Sequence, residues 1–153
     1  MNNKWRHLFV DGEYAARQKI LSGLTLEQVI YRPSEQSHSI YEELWHTTKW
    51  QQIIVFRDEE EYGTSANGQL YPEKVPASEQ DWRDLVGQFL SGLEKALEWA
   101  DSLEKLKIES DPGITMDDYL VSLAVHNAYH LGKIVALRQM IGAWQPEKIE
   151  SQA

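Results

Sequence analysis

Apolar residues recur at three- and four-residue steps along most of this chain, a period that predicts helices rather than strands. Over residues 3–23, Trp5, Leu8, Phe9, Ala15, Ala16, Ile20 and Leu21 form a broad apolar stripe, predicting a first helix that ends at Gly23. Thr25-Leu26-Glu27-Gln28 has capping-box form and predicts a short helical turn, after which Pro33 biases Arg32 out of the helix and a loop runs to His38. Ser39-Ile40-Tyr41-Glu42 is a second capping box. It opens a long helix to about Glu60 that carries Ile40, Leu44, His46, Trp50, Ile53, Ile54 and Phe56.

Between Glu61 and Ala77 the period is broken by Gly63, Gly68, Pro72 and Pro76, so the longest irregular connection is expected there. Ser78 reads as the N-cap of a third long helix through Trp82, Leu85, Val86, Phe89, Leu93, Ala96, Leu97 and Ala100, ending near Leu103 to Leu106. Asp111-Pro112-Gly113 is a turn signal, and Thr115 caps a fourth helix through Tyr119, Leu123, His126, His130, Ile134, Leu137 and Ile141 to a stop at Gly142. Four long amphipathic segments and no convincing strand predict an all-α fold. The simplest form is a single four-helix-bundle domain over residues 1–153, with ligand sites built from side chains on facing helices. The 61–77 connection admits either parallel or antiparallel docking of the second and third helices.

Composition narrows the function. The 153 residues hold 15 basic and 24 acidic side chains, a formal charge of −9, and such a field repels phosphate backbones, so no nucleic-acid partner is expected. Cysteine is absent, which removes disulfides, thiolate ligands and a cysteine nucleophile. The opening residues have no apolar signal core, and no stretch approaches the ~18 apolar residues of a membrane span; a soluble cytoplasmic protein without a membrane partner is the expectation. The run Asp58-Glu59-Glu60-Glu61 lacks the turn residues of a cation-binding loop and reads as solvated surface.

The candidate chemistry lies in the histidines. His126 and His130, four residues apart on one helical face, can both reach a single ion, although the same spacing also serves two satisfied polar groups near a helix surface. Zinc proteases share this spacing but need Glu after the first histidine as general base; Asn127 stands there, and an amide cannot take a proton from water. His46 falls on a partly apolar, inward face of the second helix, where an imidazole needs either an ion or a hydrogen-bonding neighbour.

The segment His38-Ser39-Ile40-Tyr41-Glu42-Glu43-Leu44-Trp45-His46-Thr47-Thr48-Lys49-Trp50 is followed about eighty residues later by His126-Asn127-Ala128-Tyr129-His130-Leu131-Gly132-Lys133-Ile134 and Leu137-Arg138-Gln139. Together with Leu24-Thr25 and Arg32-Pro33, this combination resembles the DinB-like family, also described with the YfiT-like metal-dependent hydrolases. The resemblance implies an up-down-down-up bundle and a divalent metal, commonly nickel or zinc, held by His46, His126 and His130. It also implies a homodimer. His7 and His38 match no ligand position and read as surface or loop residues.

Three neutral imidazoles would leave an ion its full charge and a position for chemistry. Either water or a thiol cosubstrate could then supply the nucleophile, giving a hydrolase or an S-transferase. No catalytic acid or base stands out, because Glu42 and Glu43 read equally well as surface ion-pairing residues. Several DinB-like relatives are S-transferases that use bacillithiol, mycothiol or glutathione, so the resemblance favours thiol transfer to a small electrophile. A metal-binding stress protein without turnover is the reading from a different class. Trp45, Trp50 and Tyr129 read as pocket lining or bundle core, and Lys133 and Arg138 as steering cations or, respectively, a solvated lysine and a helix-end arginine.

Overall fold

A computed structural model describes residues 4–58 and 68–146. Three long helices dominate: α4 (Ile40–Phe56), α5 (Glu79–Trp99) and α7 (Met116–Met140). Shorter helical pieces are α1 (Lys4–Arg6), which runs into a π-helical turn (His7–Asp11), α2 (Arg17–Leu21), α3 (Leu26–Ile30) and α6 (Leu103–Leu106). The capping residues act as the sequence suggests. Thr25 with Gln28, Ser39 with Glu42 and Thr115 with Asp118 form reciprocal capping boxes, and Ser78 accepts from the Asp81 N–H.

The first helix expected over residues 3–23 is broken. Gly12 is extended and Glu13 takes the left-handed conformation at φ 66°. The buried Arg17 guanidinium gathers the carbonyls around this break, donating to Leu8 O at 2.7 Å and Gly12 O at 2.9 Å, with longer contacts to His7, Tyr14 and Ala15. A charged fork that satisfies five main-chain oxygens stabilises an interruption that apolar spacing cannot reveal. The stripe still faces inward on both sides of the break, for Trp5, Phe9, Ile20 and Leu21 are all buried.

Two further ends differ from expectation. α4 stops at Phe56, where Arg57 turns left-handed at φ 57°, so the helix ends before Glu60; Glu59, Glu60 and Glu61 of the acidic run lie outside the described residues, as does Gly63. α5 stops at Trp99, and a new Ser102 cap starts α6 instead of continuing the helix to Leu106. The Pro112-Gly113 turn closes a small antiparallel hairpin, β1 (Glu109–Asp111) with β2 (Ile114–Thr115), where no strand was expected. Its two and three residues are too few for an alternating pattern to register.

Paired contacts set the helix directions. Tyr41 meets Trp82, Gln51 meets Phe89 and the Trp99 indole donates to Val55 O, so α4 and α5 ascend together and are parallel. Glu43 meets His130, Thr47 meets Asn127 and Trp50 meets His126, so α7 runs antiparallel to α4. α4 therefore packs on both long partners, and the core between them includes Leu44, Val55, Phe89, Leu93, Leu123 and Ile134. Arg138, read from sequence as a helix-end or steering cation, is buried and ties the end of α7 to α2, donating to Ile20 O at 2.7 Å, Ser22 O at 2.8 Å and Ala143 O at 2.8 Å. Among the described residues no helix is long and apolar enough to cross a membrane.

Candidate metal centre

Antiparallel packing of α4 against α7 brings residues 43, 46, 47 and 50 of one helix against 126, 127 and 130 of the other, since both sets recur at helical steps. His46, His126 and His130 converge as a result. Each offers a ring nitrogen, and the three nitrogens lie within 4.8 Å of one another, a set that can hold one metal ion. Ring centroids are 4.5 Å apart for His46–His130 and His126–His130 and 5.2 Å for His46–His126.

Each ring is held through Nδ1. The His46 Nδ1–H donates to the Leu70 carbonyl at 2.8 Å, and the His130 Nδ1–H donates to Glu43 Oε2 at 2.6 Å. His126 Nδ1 lies 3.4 Å from the Thr47 hydroxyl. A carbonyl and a carboxylate only accept, so the proton of His46 and of His130 sits on Nδ1, which leaves the Nε2 lone pair of each ring free to ligate. Metal-ligating histidines are oriented by bonds of this kind. The donor set therefore fits a divalent metal ion.

Burial pushes the His126 imidazole down to about 4, helped by the proximity of His130 and His46 and opposed by Glu43. Burial likewise lowers His46, with the Leu70 carbonyl opposing it and His130 adding to it. Both rings are thus neutral at neutral pH, the form in which imidazole ligates.

A model of the DinB superfamily matches residues 11–134, a stretch that contains all three histidines. The chain belongs to the DinB superfamily. No curated protein and no solved structure gives a significant match. In this member of the superfamily the residues around the imidazoles differ in part from what the sequence suggests. Glu43 is not a surface pairing residue: its carboxylate is 4% exposed, holds His130 and lies 3.9 Å from Lys133 Nζ. Glu42 is also buried, engaged by Arg32 Nε and Nη2 and by the Ser39 N–H. Burial alone would raise the Glu42 carboxyl, yet the bonds from Arg32 and Ser39 outweigh it and leave the group below its ordinary value.

Sequence reasoning missed Tyr71. Its ring stacks on His46 at 4.8 Å on one side and on His38 at 3.6 Å on the other, so His38, a loop residue as read, is also an aromatic neighbour of the cluster. Irregular segments carry no periodic signal, and nothing in the sequence marks Tyr71 for this place. Burial, with the Glu43 charge adding to it, raises the Tyr71 phenol above its usual range, so it stays protonated at neutral pH. His7 is a surface residue as read, paired with Glu13.

The flanking aromatics divide. Trp45 packs against the core with Lys49 over its ring, whereas Tyr129 is 63% exposed, lies edge-on to His130 at 5.1 Å and carries Lys133 over its face. Trp50 meets the edge of His126 at 6.3 Å and also lines a cavity of about 330 Å³ further along the α4–α7 groove, with Ile53, Ile54, Arg57, Ser110 and Tyr119. None of the three histidines lines that cavity; Trp50 is its link to the cluster, through His126.

Proposed function

We propose that this chain is a divalent-metal protein whose ion is held by His46, His126 and His130, and that it transfers a low-molecular-weight thiol to small electrophiles. The observation that carries the reading is the convergence of three imidazoles, each engaged through Nδ1. When bound, a divalent ion with an open position lowers the pKa of a thiol or water and so supplies a nucleophile at neutral pH. The chain's own part is to orient. Leu70 O fixes His46, Glu43 fixes His130, and Trp50 with Ile53 and Ile54 offers an apolar wall to an electrophile.

The acidic residues favour thiol transfer over hydrolysis. Hydrolysis is helped by a free base within reach of water, but Glu43 is engaged by His130 and Glu42 by Arg32 and Ser39. A thiol cosubstrate brings its own nucleophile and asks for less. Cytoplasmic residence, where such thiols are abundant, belongs to the same proposal.

The parallel α4–α5 pair and the antiparallel α7 support the up-down-down-up bundle as a single domain, with the interrupted segment over residues 4–21 as its first member. Homodimerisation is part of the proposal too. Val121, Val125 and Tyr129 form an exposed row at four-residue steps on α7 and support it.

The test is a thiol-transfer assay on metal-loaded protein with bacillithiol, mycothiol or glutathione and a model electrophile. The proposal expects turnover above that of the free ion with at least one thiol, abolished in His126→Ala. No rate above the free ion with any of them would remove the transferase and leave the metal-dependent hydrolase and the metal protein without turnover.

A further inference from the structure

A line of buried polar side chains runs from the middle of α5, through α4, to His126 on α7. Gln51 Nε2 donates to Phe89 O at 2.7 Å, Asn127 Nδ2 donates to Gln51 Oε1 at 3.0 Å, and Thr47 Oγ1 donates to Asn127 Oδ1 at 2.7 Å. The hydroxyl oxygen of Thr47 then lies 3.4 Å from His126 Nδ1. Thr47, Gln51 and Asn127 are all at most 3% exposed, so water does not offer them alternatives.

The chain of bonds has one direction. A main-chain carbonyl only accepts, so the Gln51 amide must turn its NH2 to Phe89 and its oxygen to Asn127. That oxygen also only accepts, so Asn127 must present its NH2 to Gln51 and its oxygen to Thr47. The Thr47 proton is thereby used on Asn127, and what the hydroxyl has left for His126 is a lone pair. We infer that Phe89, Gln51, Asn127 and Thr47 form a relay that sets the tautomer of His126, placing its proton on Nδ1 and its lone pair on Nε2.

Reversing any one amide would reverse every step after it. The Thr47 hydroxyl would then donate to Nδ1, and the His126 proton would move to Nε2, occupying the lone pair that would otherwise be free to ligate. For His46 and His130 an adjacent acceptor does the same work in one step; for His126 the decision is made three side chains away. Gly92 makes this reach possible. A Cβ there would stand 2.1 Å from Gln51 Nε2 and 2.7 Å from its Cδ, so any larger residue pushes the amide off Phe89 O. Glycine inside a long helix is less favourable than alanine, and this close approach accounts for its presence.

The relay concerns the metal-free protein and rests on the metal reading only for its consequence, the presentation of Nε2 to an ion. It is tested by ¹⁵N NMR of ring-labelled histidine in metal-free protein at pH 8, where the buried His126 is neutral, with His126→Gln to assign the signals. Wild type is expected to show His126 protonated on Nδ1. Thr47→Val removes the acceptor, and Gly92→Ala displaces Gln51 so that Asn127 can turn. Both are expected to move His126 towards the Nε2–H form, while Thr47→Ser keeps the wild-type signature.

In a parallel competition titration with zinc alone, Thr47→Val is expected to bind about 10–100-fold more weakly and Thr47→Ser like wild type. A wild-type His126 protonated on Nε2 overturns the relay. So does a folded Gly92→Ala protein with an unchanged tautomer, and if that variant does not fold, Gln51→Met carries the same test. A merely structural role would lower thermal stability without moving the proton. A tautomer shift in a protein that takes up no zinc would sink the metal reading and leave the relay standing, and zinc binding with no shift in any variant would do the reverse.

Discussion

Replacing Glu43 with glutamine removes a negative charge from beside His130 while keeping the reach of the side chain. In the wild type the His130 Nδ1–H donates to Glu43 Oε2 at 2.6 Å, between side chains only 5% and 4% exposed, so the bond is charge-assisted and little screened. A bond to a charged group contributes about 1.5–3 kcal/mol against about 0.5–1.5 kcal/mol for a neutral one. Glutamine can still turn its oxygen to Nδ1–H, and the exchange should cost roughly 1–1.5 kcal/mol, about tenfold in metal affinity. Glu43→Ala frees the ring altogether, and losses of this kind reach about 100-fold. The expected order of affinity is wild type, then Glu43→Gln, then Glu43→Ala. Competition of zinc against a chromophoric chelator at pH 7.5 measures it, with thermal melts of the metal-free forms to verify folding. Equal affinities in the three proteins, or alanine binding better than glutamine, would refute the placing of Glu43 behind a ligand.

Other expectations concern stability. Arg17→Met removes the charged donor from Leu8 O and from Gly12 O, which keeps only its bond from the Tyr14 N–H, and should cost roughly 3 kcal/mol, or about 6–12 °C in Tm, read by calorimetry; a change under 1 °C would contradict the role given to Arg17. Metal-free protein should lose stability as pH falls from 6.5 towards 4. The unfolded chain takes up a proton at His126 in that range while burial keeps the folded one from doing so, and His46 shifts in the same direction. Urea unfolding at pH 7.5 and pH 5 checks the sign, and a flat or rising stability on acidification contradicts it. Val125→Glu should convert a dimer to a monomer in light scattering if the exposed row on α7 is an interface, with an unchanged mass refuting that interface.

Much of this arrangement can be read from the residues because the signals are local. Thr25, Ser39, Ser78 and Thr115 each start a helix through bonds to groups three residues away, and a window of four residues contains the cause. The three histidines are legible for a similar reason, since their faces follow from helix period once the caps are known. The break at Gly12 to Ala16 is different in kind. It depends on Arg17 turning back to carbonyls up to ten residues earlier, and the apolar stripe is compatible with a helix in either case.

The buried acids and amides lie between these cases. Glu43, Thr47 and Gln51 recur at four-residue steps on the face that also carries His46, which is a signal for inward polar residues once that face is known to be covered. Which acceptor meets which donor depends on α7 lying antiparallel to α4 and α5 parallel to it, and the long connection between Glu61 and Ala77 left that direction open. Tyr71 sits within that connection, so its stacking on His46 follows from the path of the chain and from no spacing.

The account stands on His46, His126 and His130 sharing one ion. Metal analysis of protein purified without a histidine tag, set beside His46→Ala prepared identically, tests this most directly. About one divalent ion per chain is predicted for the wild type, with a large loss in the folded variant. Equal metal content in the two proteins would remove His46 from the site and contradict the account.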